Sequence, residues 1–186
     1  EENVLHDITF TAKPGKTTAF IGTTGSGKTT IMNLLMGLYQ MNFGEIKIDG
    51  TSIRDYDPDY LRSRISYGTQ KAMVFQDTVY NNISAYNKEC SEERVRLACD
   101  AAEFSEVLEK MPDGTNSMMA QGGMNISGGQ RQRLSLARTI AKDAAIYIFD
   151  DTFSALDSKT EASVRKNIKN ILKGKTIIMV AQKIST

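Results

Sequence analysis

The hydrophobic positions of this 186-residue chain fall into short apolar runs separated by stretches with helical spacing. Thr17-Thr18-Ala19-Phe20-Ile21 reads as a buried strand, followed by a glycine-rich turn and a helix over about residues 28–38. Glu45-Ile46-Lys47-Ile48 alternates polar and apolar side chains, the period of a half-exposed strand, and Asp49-Gly50 is a turn pair. Ser91 ahead of Glu92 and Glu93 starts a helix, because a hydroxyl caps free backbone N–H groups and acids suit the positive end of the dipole. Residues 144–149 and 176–181 are apolar, β-branched or aromatic runs of the kind found in central parallel strands. Between them a helix begins after Asp157 and is closed off by Gly174. Strands alternating with helices specify an α/β fold with parallel strands. Without repeats, low-complexity segments or Pro- and Gly-rich linkers, residues 1–186 are expected to form a single domain. Residues 4–10 have no partner strand before them and the chain stops soon after a core strand, so both ends read as truncated.

Composition narrows the field mainly by exclusion. Lys and Arg total 23 against 22 Asp and Glu, a net charge of +1, which gives no general grip on nucleic acid or an anionic bilayer. No apolar run approaches the roughly 18 residues that span a membrane, so direct insertion by this segment is not expected. At 40% hydrophobic and 24% charged, the chain has the balance of a soluble globular protein. Cys90 and Cys99 are too few for a disulfide framework or zinc spacing and are expected to be thiols in a reducing compartment. His6 is the one histidine, which excludes sites built on several.

The strongest chemical signal is Gly22-Thr23-Thr24-Gly25-Ser26-Gly27-Lys28-Thr29, a phosphate-binding loop between strand and helix. Its glycines let backbone N–H groups turn inward around phosphate oxygens. Lys28 places a cation beside the β- and γ-phosphates, the Thr29 hydroxyl is a Mg2+ ligand, and Thr30 follows in the first helical turn. The four fixed positions should arise by chance in well under about 1% of chains this long. A carboxylate, Asp150, closes the apolar strand Ile146-Tyr147-Ile148-Phe149, at the strand end where α/β folds bind ligands. It is expected to hold the Mg2+ shell opposite Thr29. A third element, Asn125-Ile126-Ser127-Gly128-Gly129-Gln130-Arg131-Gln132-Arg133, presents a hydroxyl and free N–H groups at the start of another helix, a second anion site.

With that third element the chain resembles the ATP-binding cassette family, whose signature motif it matches. Gln70 after a strand, the turn Ser154-Ala155-Leu156-Asp157 and the strand leading to Gln182 extend the resemblance over essentially the whole length. The resemblance implies a P-loop NTPase fold with a mainly parallel core sheet, an antiparallel β portion and a helical subdomain at roughly residues 78–137. It implies ATP and Mg2+ as cofactors, with Thr29, Gln70 and Asp150 on the metal and Gln70 on the nucleotide. It also implies a head-to-tail pair with a second nucleotide-binding domain, in which Ser127, Gly128, Gly129 and Gln130 contact the nucleotide held by the partner.

Tyr60 through Tyr67 and residues 121–125 are similar to the exporter branch, which implies a transmembrane domain docked near residues 71–80 and a place on the cytoplasmic face of the membrane. Met73, Val74 and Phe75 fit a docking cleft or the core equally well. Two departures from the family pattern bear on mechanism. Asp151 stands where the family usually has a catalytic glutamate, and Gln182 where it usually has a histidine at the γ-phosphate. Aspartate sets its carboxylate back by roughly 1.5 Å, and glutamine cannot become cationic. Both are assigned to the catalytic position of a weakened site, as in the degenerate half of a heterodimeric multidrug-type exporter. A soluble cassette ATPase and a non-hydrolysing ATP clamp are the competing readings; a chromosome-maintenance ATPase would need a long heptad stretch that is absent.

Overall fold

The computed structural model describes residues 4–182, which divide into two compact units. The first comprises the chain up to Tyr67, Ala144–Asp151 and the part from Gly174 onward. In it lie β1 (Thr17–Ile21), α1 (Lys28–Leu35), β2 (Lys47–Ile48), β3 (Thr51–Ser52), α2 (Pro58–Ser63), β4 (Ile65–Gly68), β5 (Ile146–Asp150) and β6 (Thr176–Ala181). Four strands form one sheet in the order β1-β6-β5-β4. β6 runs parallel to both neighbours, setting Val180 opposite Phe20 on one side and Asp150 on the other.

That order explains the burial. Tyr147, Ile148 and Phe149 on β5 and Ile177, Ile178 and Val180 on β6 are buried because both strands are flanked and covered. Ile148, Ile178 and Val180 pack with Met32 and Leu35, one turn apart on α1, and with Ile53, Leu61 and Ile65. β1 departs from its expected burial: its residues alternate between exposed and half-buried, as suits a strand at the edge of the described sheet. The first helix is also shorter than its apolar pattern suggests. Gly37 takes φ +66°, and the Leu38 N–H reaches back to the Asn33 carbonyl at 2.9 Å, so a left-handed glycine stops it after Leu35. The Glu45–Ile48 stretch contributes only Lys47 and Ile48 to a strand, paired antiparallel with β3 across Asp49 and Gly50, both at positive φ.

The second unit, Gly68–Asp143 and Thr152–Lys173, is helical. It holds α3 (Val79–Ser84), α4 (Glu92–Ala101), α5 (Ser105–Glu109), α6 (Gly128–Ala141) and α7 (Ser158–Ile171). Side-chain oxygens start most of them: Thr78 caps α3, Ser91 caps α4, and Asp157 caps α7 by accepting from Lys159 and Thr160 N–H groups. Leu134, Leu136, Ala137 and Ile140 bury α6 among α3 and α4. Arg94 closes the other end of α6, donating to the carbonyl of Ala141 at 3.0 Å. Cys90 and Cys99 are free thiols, both buried; burial, followed by the neighbouring Asp100, pushes the Cys99 thiol up to about 12, which keeps it protonated and inert. Among the described residues no helix is long and apolar enough to cross a membrane.

Candidate nucleotide site and signature turn

The phosphate loop is shaped by glycine. Gly25 and Gly27 sit at φ +83° and +84°, a region that side chains rarely enter, and a Cβ on Gly22 would stand 3.0 Å from the Ser26 hydroxyl. Inside this turn the Lys28 ammonium donates to the carbonyls of Gly22 (2.8 Å) and Thr23 (2.6 Å) and to Ser26 Oγ (3.1 Å). The charge is thus held at the centre of the loop by oxygens of the loop itself. α1 follows Gly27 with no side-chain cap and no acid in its first turn, so its leading N–H groups have no carboxylate or hydroxyl competing for them. A positive helix end, an embedded lysine and a glycine-lined concavity together fit a polyphosphate. The Gly22 N–H bonds to the Ala181 carbonyl at 3.3 Å, which ties the loop to the end of β6.

At the end of β5, Asp150 is 4% exposed. Its Oδ2 accepts two hydroxyl protons, from Thr29 at 2.9 Å and from Tyr67 at 2.8 Å. The hydrogen bond between Thr29 and Asp150 joins residues 121 positions apart, the two that the sequence reading set on either side of a Mg2+ ion. Tyr67 was not assigned to the site there; an aromatic in a core strand reads as packing, and nothing local says that its hydroxyl meets a carboxylate. Burial first, then the hydrogen bond and the charge of Asp150, push the Tyr67 phenol well above its ordinary value, so it stays a donor. No cluster of three His, Cys, Asp or Glu side chains able to hold a metal exists among the described residues. A cation taken by Thr29 and Asp150 must draw its remaining oxygens from water and phosphate, a donor set that suits Mg2+.

Asp151 is half-buried in a left-handed conformation, φ +50°, with its N–H on the Val180 carbonyl at 2.9 Å. Its Oδ2 accepts from Gln182 Nε2 at 2.9 Å. The parallel pairing of β5 and β6 brings the two departures from the family pattern into direct contact.

The remaining expected site residues lie in the second unit. Gln70 follows β4 and is exposed. Ser127 and Gln130 form a reciprocal capping box: Ser127 Oγ accepts from the Gln130 N–H at 3.3 Å, and the Ser127 N–H donates to Gln130 Oε1 at 2.8 Å. Ser127 and Gly128 stay exposed, and a Cβ on Gly129 would lie 3.6 Å from the Ala155 carbonyl. The start of α6 is tied to the segment after β5 by buried Gln132, which donates to the Thr152 carbonyl at 2.6 Å.

A groove of about 850 Å³ opens in the same unit, with Lys71, Met73, Phe75, Gln121, Met124 and Arg131 in its lining. The Met73-Val74-Phe75 ambiguity resolves residue by residue: Val74 is buried, whereas Met73 and Phe75 are 56% and 43% exposed. Arg138 holds their loop. Its guanidinium donates to the Met73 carbonyl at 2.8 Å and to Asn82 Oδ1 at 3.0 Å, and lies 5.0 Å from the Phe75 ring centre.

Comparison with known proteins places this geometry. An "ATP-dependent lipid A-core flippase" of Desulfotalea psychrophila is 39% identical over 185 residues, covering 100% of this chain and 32% of that protein. The flippase of the same description from Paraburkholderia xenovorans is 41% identical over 184 residues, 99% of this chain and 31% of the relative. This chain therefore spans about a third of the length of these relatives. A solved structure of a bacterial Atm1-family ABC exporter with ATP bound superposes with a TM-score of 0.90 at 31% identity, over 96% of this chain and 31% of that one. The fold, a parallel core sheet with a separate antiparallel pair and helices, is that of the ABC ATPase. Because the ABC transporter family profile matches residues 5–154, which carry the phosphate loop, the signature turn and Asp150, the chain belongs to the ABC transporter family.

Proposed function

We propose that this chain is the ATP-binding and ATP-hydrolysing domain that powers an exporter, working head to tail with a second domain of its kind. The observation that carries this reading is the junction of phosphate loop and β5, where Lys28 sits inside the glycine turn and Thr29 meets Asp150. Thr29 and Asp150 would hold Mg2+, which when bound neutralises charge on the β- and γ-phosphates. Lys28, Thr30 and the loop N–H groups hold and orient the phosphates, and the Ser127-Gly128-Gly129-Gln130 turn, exposed at Ser127 and Gly128, serves the nucleotide of the partner. The groove beside Met73, Phe75 and Met124 is the docking site for the transmembrane domain, which sets this domain on the cytoplasmic face of a membrane. Similarity to proteins named lipid A-core flippases makes an amphipathic lipid a reasonable class of cargo.

The site's own turnover is weak, and the partner is a different subunit carrying the stronger site. Asp151 reaches less far than glutamate, and its Oδ2 is already engaged by the neutral amide of Gln182. A carboxylate held by a donor must give up that bond before the same oxygen can take a proton from water. Restoring the family pattern with Asp151→Glu and Gln182→His should raise hydrolysis at this site, with each single change doing far less than the pair because the two act on one phosphate. A correctly placed base contributes about 10²–10⁴-fold. The measurement is ATP turnover by the full-length transporter with the partner's catalytic carboxylate silenced. No gain in the double variant overturns the weak-site reading. No turnover in the parent favours instead the ATP clamp, for which the Asp151–Gln182 bond is the specific support.

A further inference from the structure

We propose that Tyr67 is a positioning residue of the magnesium site, holding the Asp150 carboxylate in place through its phenol. The inference rests on the reading of Thr29 and Asp150 as the protein's share of that site. Both hydroxyl bonds to Asp150 fall on one oxygen, Oδ2, which leaves Oδ1 for the shell of the cation. The two donors differ in what else they must do. Thr29 stands at the start of α1, directly after the loop that takes the phosphates, and its oxygen is itself a ligand. Tyr67 stands on β4, in the same sheet as β5, and has no phosphate to follow. It therefore fixes the carboxylate before the nucleotide arrives and keeps it fixed while Thr29 adjusts.

Packing does not account for the hydroxyl. The Tyr67 ring is half-buried against the core formed by Met32, Ile65 and Ile148, a role that any large apolar side chain fills. The phenol adds the one thing such a side chain lacks, a donor 2.8 Å from a carboxylate that is 4% exposed. Outer partners of metal-binding carboxylates orient them in this way, and their loss typically weakens metal binding about 10–100-fold.

The test uses the full-length transporter with the partner subunit's phosphate-loop lysine replaced by alanine, so that only this site loads. Mn2+ is titrated in the presence of ATP and followed by electron paramagnetic resonance, and ATP affinity is measured separately in EDTA. Tyr67→Phe keeps the ring and removes the donor. It should raise the Mn2+ half-saturation about tenfold while leaving metal-free ATP affinity within twofold. A half-saturation unchanged in Tyr67→Phe but raised in Asp150→Asn overturns the role of Tyr67 alone. An equal fall in metal-free ATP affinity shows a merely structural tyrosine and also overturns it. If Asp150→Asn leaves Mn2+ binding unchanged, the magnesium-site reading itself fails and takes this inference with it.

Discussion

The signature turn and the carboxylate end of β5 are both built to meet charge, but they are assembled over different distances. Ser127 and Gln130 satisfy each other within four residues, so the turn carries its own geometry wherever the surrounding helix forms. Asp150 depends on donors 83 and 121 positions away, and Asp151 on one 31 positions away. The difference bears on how each can drift. A self-contained turn tolerates change elsewhere in the fold, whereas the β5 end is altered whenever any contributing strand changes its last residue. In this chain the local element keeps the family pattern and the long-range element departs from it at both Asp151 and Gln182.

The hardest break of this comparison is Lys28→Ala. Loss of the charge inside the loop removes interactions worth about 1.5–3 kcal/mol or more, so Mg-ATP binding at this domain should fall at least about tenfold by calorimetry on the full-length protein. Unchanged affinity would show that residues 22–29 are a turn and nothing more. Next in size, Ser127→Ala with Gly129→Asp should suppress turnover of the assembled transporter while sparing ATP bound to this chain's own loop, since an added carboxylate repels a γ-phosphate. Photo-crosslinked nucleotide on this chain, read beside complex turnover, separates the two effects; loss of its own ATP with full turnover would reverse the assignment. The smallest effect sharpens the comparison rather than breaking it. Gln132→Leu removes the donor to the buried Thr152 carbonyl, and leaving that acceptor bare costs about 1–3 kcal/mol. Denaturant melts should show that loss, and hydrogen exchange should rise across residues 152–157, while ATP affinity at residues 22–29 stays put.

Much of the architecture was legible because its causes are contiguous. The apolar runs at 144–149 and 176–181 supply strands Ile146–Asp150 and Thr176–Ala181, helices follow Ser91 and Asp157, and the Ser127 turn opens the helix that follows it. The misses have a common origin. Burial of β1 was overestimated because an apolar run does not say how many neighbours a strand has. The first helix was drawn too long because Leu38 keeps the apolar pattern, although Gly37 has already turned the backbone. Tyr67 and Arg138 were given no role, since neither lies near its hydrogen-bond partner along the chain.

By itself the sequence determined the phosphate loop, the helix starts, the strand runs and the family, all of which rest on backbone preferences and spacings within a few residues. Tertiary structure alone decided which strands are neighbours, and so which side chains share an oxygen. Parallel pairing sets Asp150 against Val180, which carries Gln182 to Asp151; the sheet order carries Tyr67 to Asp150; and Arg138 gathers Met73, Phe75 and Asn82 into one wall. The physical reason is range. A dihedral preference or a cap acts across one turn of backbone, but a hydrogen bond between strands exists only after the core has closed and set their register.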